Sequence, residues 1–169
     1  MKYLKLFILQ VFWYLAIKFG SSTIFPLFAS TLFICDYFIF NRSRVDLPYL
    51  IFSFALILFG CLMDQTFQYF KMITWGNQLY PLELFSVWIV FPCYYQEFFS
   101  RFSQKLLIAF ILGFVFGPVA YYSGAKINET ISLSNNIFHL IIIGIFWAVL
   151  FSASISIYST FVNPYKCKK

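Results

Sequence analysis

GFVFGPVAYYSGA, residues 113–125, lies inside an apolar segment long enough to cross a bilayer. Gly113 and Gly117 form a GxxxG pair, Pro118 follows directly, Tyr121 and Tyr122 are adjacent, and Gly124 precedes Ala125. In lipid, small residues four apart let two helix backbones approach closely. A proline in such a helix frees a backbone carbonyl that must find another partner. Gly113, Gly117, Pro118 and Gly124 therefore read as the packing centre of a helical membrane protein.

The rest of the composition agrees. Of 169 residues, 62% are hydrophobic, 24% aromatic and 11% charged. Soluble domains carry about 25% charged residues, and a soluble chain of this size has too little interior to hide so much apolar surface. One membrane domain is expected over residues 1–169. The net charge of +6 does not point to nucleic acid, because the basic residues are scattered between apolar runs and form no basic face. Cys35, Cys61, Cys93 and Cys167 include no CxxC pair, and three of them fall in apolar runs, so they read as small hydrophobes. The opening MKYLKLFILQVFWYLAIKFGSS imitates a signal peptide but lacks an A-x-A site and carries bulky Trp13 and Tyr14. It is read as a retained helix.

Polar breaks divide the chain into six apolar runs, at about 3–19, 24–40, 47–70, 82–99, 104–124 and 137–161. Asp46 is the expected N-cap of the third run, and Pro48 falls in its first turn. Gly76-Asn77 marks a turn before the fourth, and Pro92 predicts a kink within it. Continuous apolar runs exclude the alternation of a β-barrel. With six spans, Lys2, Lys5, Arg42, Arg44, Arg101, Lys105, Lys166, Lys168 and Lys169 fall on one side, and Lys18, Lys71 and Lys126 on the other. The positive-inside rule then places both termini in the cytoplasm. The expected fold is an all-α, multi-pass bundle of six transmembrane helices in a bacterial inner membrane.

A carboxylate in the hydrocarbon costs roughly 2.5–3.5 kcal/mol on insertion scales, so each one must face protein, water or a partner. Asp64, in GCLMDQTFQYF, lies 17 residues after Leu47, roughly 25 Å along a helix. Gln68 shares its face, four residues on. Glu83 opens the fourth run, His139 opens the sixth, and Tyr121, Tyr122 and Asn128 reach a similar depth. Two readings stand. In one, Asp64, Gln68, Glu83, Tyr121, Tyr122 and His139 bind a ligand in an outward-facing pocket, and the Gly117-Pro118 break opens helix backbone toward it. In the other, Asp64 is a structural partner of Lys18, Lys126 or a helix end. On the inner side Gln96 and Glu97 end the fourth run, Arg101 follows four residues after Glu97, and Asp36 lies near Arg42 and Arg44, the pattern of interfacial ion pairs. There is no HExxH, GxSxG or phosphate-binding glycine loop, and a single histidine excludes a multi-histidine metal centre. No cofactor or metal is expected.

Three stretches carry a resemblance over nearly the whole chain. Leu9-Gln10-Val11-Phe12-Trp13, Gly60-Cys61-Leu62-Met63-Asp64 and Phe116-Gly117-Pro118-Val119-Ala120-Tyr121-Tyr122-Ser123-Gly124-Ala125 resemble motifs of a family of small bacterial inner-membrane proteins classed as a domain of unknown function. The departures are Phe116 for a glycine, Ala120 for a serine, and Gln96-Glu97 where the family tends to show Asn-His. The family's association with genes for lipid modification implies an envelope-lipid role. Gly-x-x-x-Asp in a chain of this size is also similar to the substrate-binding subunits of vitamin transporters and to a small cell-shape membrane protein, a likeness of fold alone. Three functions follow: holding a membrane lipid or small amphiphile on Asp64; lipid chemistry with Asp64 and Glu83 or His139 as acid and base; or docking of a membrane-protein partner or second copy through the GxxxG face.

Overall fold

The computed structural model describes residues 2–19, 24–35, 47–76, 81–93, 102 and 105–162. The expectations placed on Asp36, Arg42, Arg44, Asp46, Asn77, Gln96, Glu97, Arg101 and Cys167 fall outside them. In chain order the elements are α1 (Lys2–Phe19), α2 (Ile24–Cys35), α3 (Leu47–Tyr69), β1 (Ile73–Trp75), α4 (Leu82–Val90), α5 (Leu106–Ile127), β2 (Ile131–Leu133) and α6 (Ile137–Ile157), which runs on as a π turn over Tyr158–Val162. Among the described residues, three helical stretches, α3, α5 and α6 with its π turn, are long and apolar enough to cross a membrane. Large hydrophobics such as Leu107, Phe54 and Phe138 are about 70% exposed on them, as expected of surfaces solvated by lipid tails rather than water.

α5 and α6 are packed backbone to backbone, and glycine is why. A Cβ on Gly113 would lie 2.7 Å from the Trp147 carbonyl oxygen and 2.9 Å from Ala148 Cα. A Cβ on Gly144 would lie 2.8 Å from the Phe114 carbonyl oxygen. Phe114 is four residues before Pro118, so its carbonyl is the one that the proline leaves without a helical N–H. The Gly-Pro step thus opens backbone toward α6. Gly144 and Ala148 repeat the small-x-x-x-small spacing on the partner helix. Gly124 differs from the expectation: it is buried, but a Cβ there meets only ordinary contacts, at 3.8 Å from Ile17 and 3.9 Å from Ile131.

The helical expectation misses one element. β1 and β2 pair antiparallel, with Ile73 opposite Leu133, Thr74 opposite Ser132 and Trp75 opposite Ile131. α3 reaches β1 through a Schellman turn in which Met72 N–H donates to the Phe67 carbonyl and Lys71 N–H to that of Gln68. Lys71 takes the left-handed conformation, φ 55°. At the far end of α5, the Asn128 side-chain amide donates to the Ile17 carbonyl at 2.9 Å, and its oxygen accepts from Thr130 N–H. One asparagine ties together the ends of α1 and α5 and the start of β2. The two connections form a single cap over one end of the bundle. α4 runs to Val90, Phe91 and Pro92 form a turn, Cys93 is again helical, and the remainder of the run expected to kink at Pro92 lies outside the described residues.

Some hydroxyls inside the helices are satisfied locally, whereas the buried Ser53 and Ser152 hydroxyls find no partner among the described residues. Ser86 donates to the Leu82 carbonyl and Ser154 to that of Leu150, which hides a polar group where water is absent. Cys35, Cys61 and Cys93 form no disulfide among the described residues.

Candidate functional site

The buried carboxylate of Asp64 sits under the cap and is 1% exposed. Trp88 of α4 donates its Nε1–H to Oδ2 at 2.6 Å. Tyr121 of α5 donates its hydroxyl to Oδ1. Three elements distant in sequence are thereby joined at one side chain.

Glycines one helical turn away set this geometry. Gly60 and Asp64 are four apart and share a face of α3. A Cβ on Gly60 would fall closer than 3.0 Å to the Trp88 ring, so only glycine lets the indole lie against the helix with its N–H on Asp64. Gly117 and Tyr121 repeat the device on α5, because a Cβ on Gly117 would fall closer than 3.0 Å to the Trp147 ring. Trp88 and Trp147 stack on each other, with centroids 5.4 Å apart and planes 17° from parallel. The order across the bundle is Gly60, Trp88, Trp147, Gly117, with the Asp64–Tyr121 hydrogen bond one turn farther along. Phe67 and Trp75 complete the packing of the Tyr121 ring, with centroids at 5.9 and 6.3 Å.

The remaining expected site residues are dispersed. Tyr122 is 57% exposed and faces away from the bundle, with Lys126 Nζ 5.6 Å from its ring centre. His139 lies in the first turn of α6, where its Nδ1 is 2.8 Å from Ser134 Oγ. Glu83 is buried in the first turn of α4, and its Oε2 has no hydrogen-bond partner among the described residues. Gln68 is half-buried. Lys18, a candidate cation for Asp64, lies instead against the rings of Tyr14 and Phe19. No group of three metal-ligating side chains occurs among the described residues.

Beside this cluster is a cavity of about 690 Å³, within the range of about 300–1,000 Å³ typical of small-molecule sites. Its walls come from α1 (Leu9, Trp13), α4 (Leu84, Val87) and α5 (Leu112, Ala120), with Trp75 and Ile131 of the cap. Asp64, Tyr121, Gln10, Ser123 and four tryptophan indoles supply the polar groups in an otherwise apolar lining. Neither Glu83 nor His139 lines it. From Leu112 to Gly124 the wall follows α5 for roughly 18 Å, more than half of a bilayer core of about 30 Å. Asp64 and Tyr121 were legible as candidates. Trp88, Trp147 and Trp75 were not, since an indole in an apolar run, or in the break between two, carries no sign of what its N–H meets.

A family model described as a protein of unknown function (DUF2878) matches residues 2–153, and the chain belongs to that family. No curated protein and no solved structure matches.

Proposed function

We propose that this family member is a six-span protein of the bacterial inner membrane, with both termini cytoplasmic, that holds the hydrocarbon of a lipid or small amphiphile in the cavity beside Asp64. The observation that carries the reading is the cavity itself: an apolar slot of about 690 Å³ in a bundle that otherwise packs densely enough to need glycine at helix crossings. Native interiors hold few voids of that size, and an apolar cavity open to lipid does not stay without hydrocarbon. Asp64 supports the reading in a different way from the one expected. Both its oxygens already accept hydrogen bonds, so it fixes Trp88 and Tyr121 in the wall.

The test is native mass spectrometry of the detergent-purified chain. Wild type is expected to retain lipid-sized mass. Ala120→Trp, which fills the cavity from α5, is expected to lose it while keeping a wild-type circular dichroism spectrum. Equal retention by the two proteins counts against the cavity as the site.

A further inference from the structure

Two indole N–H groups in the cavity wall, those of Trp75 and Trp147, find no acceptor among the described residues; Trp147 lies mid-span in α6, whereas Trp75 lies at the cap end of the cavity. Trp75 is 3% exposed, and its Nε1–H finds no acceptor among the described residues. An indole N–H only donates, and a buried donor without an acceptor is uncommon enough in folded proteins to call for an explanation. Trp75 is also firmly placed. It lies in β1, paired with Ile131, and both residues line the cavity.

Resting on the hydrocarbon-binding reading above, we propose that the occupant is an ester-linked acyl lipid whose carbonyl oxygen accepts the Trp75 Nε1–H. Three considerations select that chemistry. A ligand donor, such as an ammonium or hydroxyl proton, does nothing for an N–H. A carboxylate or phosphate brings a second negative charge beside Asp64, whose partner Tyr121 packs with its ring centre 6.3 Å from that of Trp75; like charges repel strongly where the dielectric is low. A neutral carbonyl oxygen meets neither objection. Depth agrees. Trp75 follows the apolar span of α3 by a few residues, at the level where tryptophan favours the membrane interface. Ester groups of bilayer lipids lie in the same layer, and the cavity continues from there along α5 for the tail. The N–H is covered by its neighbours in the structure, so engagement tilts the indole edge into the cavity.

The experiment is competition in native mass spectrometry. Purified full-length chain is offered an equimolar mixture of dipalmitoyl phosphatidylethanolamine and its dihexadecyl ether analogue, which share headgroup and chain length but differ in the carbonyls. Wild type is expected to retain the ester about tenfold over the ether, the size of one hydrogen bond to an otherwise unpaired donor. Trp75→Phe is expected to bring the ratio to about one. If that variant does not fold, the wild-type ratio still decides, and a ¹³C-carbonyl ester bound to wild type is expected to show its infrared band shifted to lower frequency than in detergent. Equal retention of both lipids by wild type, an unshifted band, or an ester preference that survives in Trp75→Phe overturns the assignment to Trp75. Retention of neither lipid overturns the hydrocarbon-binding reading itself.

Discussion

The donors that hold Asp64 are an indole N–H and a phenol O–H. Asparagine can keep both contacts: its carbonyl accepts from Trp88, and its amide donates to the Tyr121 oxygen, which then acts as acceptor. Leucine keeps neither and leaves two buried polar groups unpaired. Asp64→Asn is therefore expected to unfold close to wild type in detergent, and Asp64→Leu to be less stable than the asparagine variant by about 1–3 kcal/mol. Equal stability of the two variants would remove the structural role assigned to the carboxylate. At this scale the sequence was partly readable. A carboxylate in an apolar run announces that it needs a partner, and the four-residue spacings of Gly60 to Asp64 and Gly117 to Tyr121 announce shared helix faces. The partner was not readable. Expectation turned to Lys18 and Lys126 because cations are what a carboxylate alone calls for, whereas Trp88 is 24 positions away and looks like any other apolar residue.

Among the elements, the helix crossing of α5 and α6 depends on contacts between backbones, which cannot give way as a side chain can. Gly113→Ala places a methyl against the Trp147 carbonyl at 2.7 Å, so the helices must separate. Gly124→Ala meets side-chain carbons at 3.8 and 3.9 Å and fits as built. Thermal unfolding in detergent is expected to show a loss of about 1–3 kcal/mol for Gly113→Ala and a change within about 0.5 kcal/mol for Gly124→Ala. A large loss at Gly124 would mean that α1 or β2 lies closer to α5 than the structure has it. The GxxxG pair was legible because small residues in an apolar run have few other uses. Gly144 and Ala148 were not singled out, since a glycine and an alanine four apart carry little signal without a proline or a second glycine. The β ladder escaped for another reason. Two three-residue strands are too short to show alternation, and their pairing across some sixty residues is a tertiary event.

For the molecule as a whole, the cap constrains topology. β1 follows α3 and β2 follows α5, and the two strands are hydrogen-bonded. The ends of α3 and α5 must then lie on one side of the membrane, which the six-run division of the sequence also requires. On the proposed six-span division, nine basic residues fall on the face of the termini and three on the face of the cap, and the positive-inside rule is the ground for proposing that the cap is external. This arrangement makes a specific prediction. In a background with all four cysteines replaced, Glu129→Cys places a thiol at an exposed position next to the cap, and Lys105→Cys places one at the opposite, exposed end of α5. A membrane-impermeant maleimide added to intact spheroplasts is expected to label Glu129→Cys and to label Lys105→Cys only after lysis. The reverse pattern would invert the orientation and move the cap to the cytoplasm. Labelling of both before lysis would mean that α5 does not cross the membrane, and the cavity along it would then border water and lose its claim to hydrocarbon.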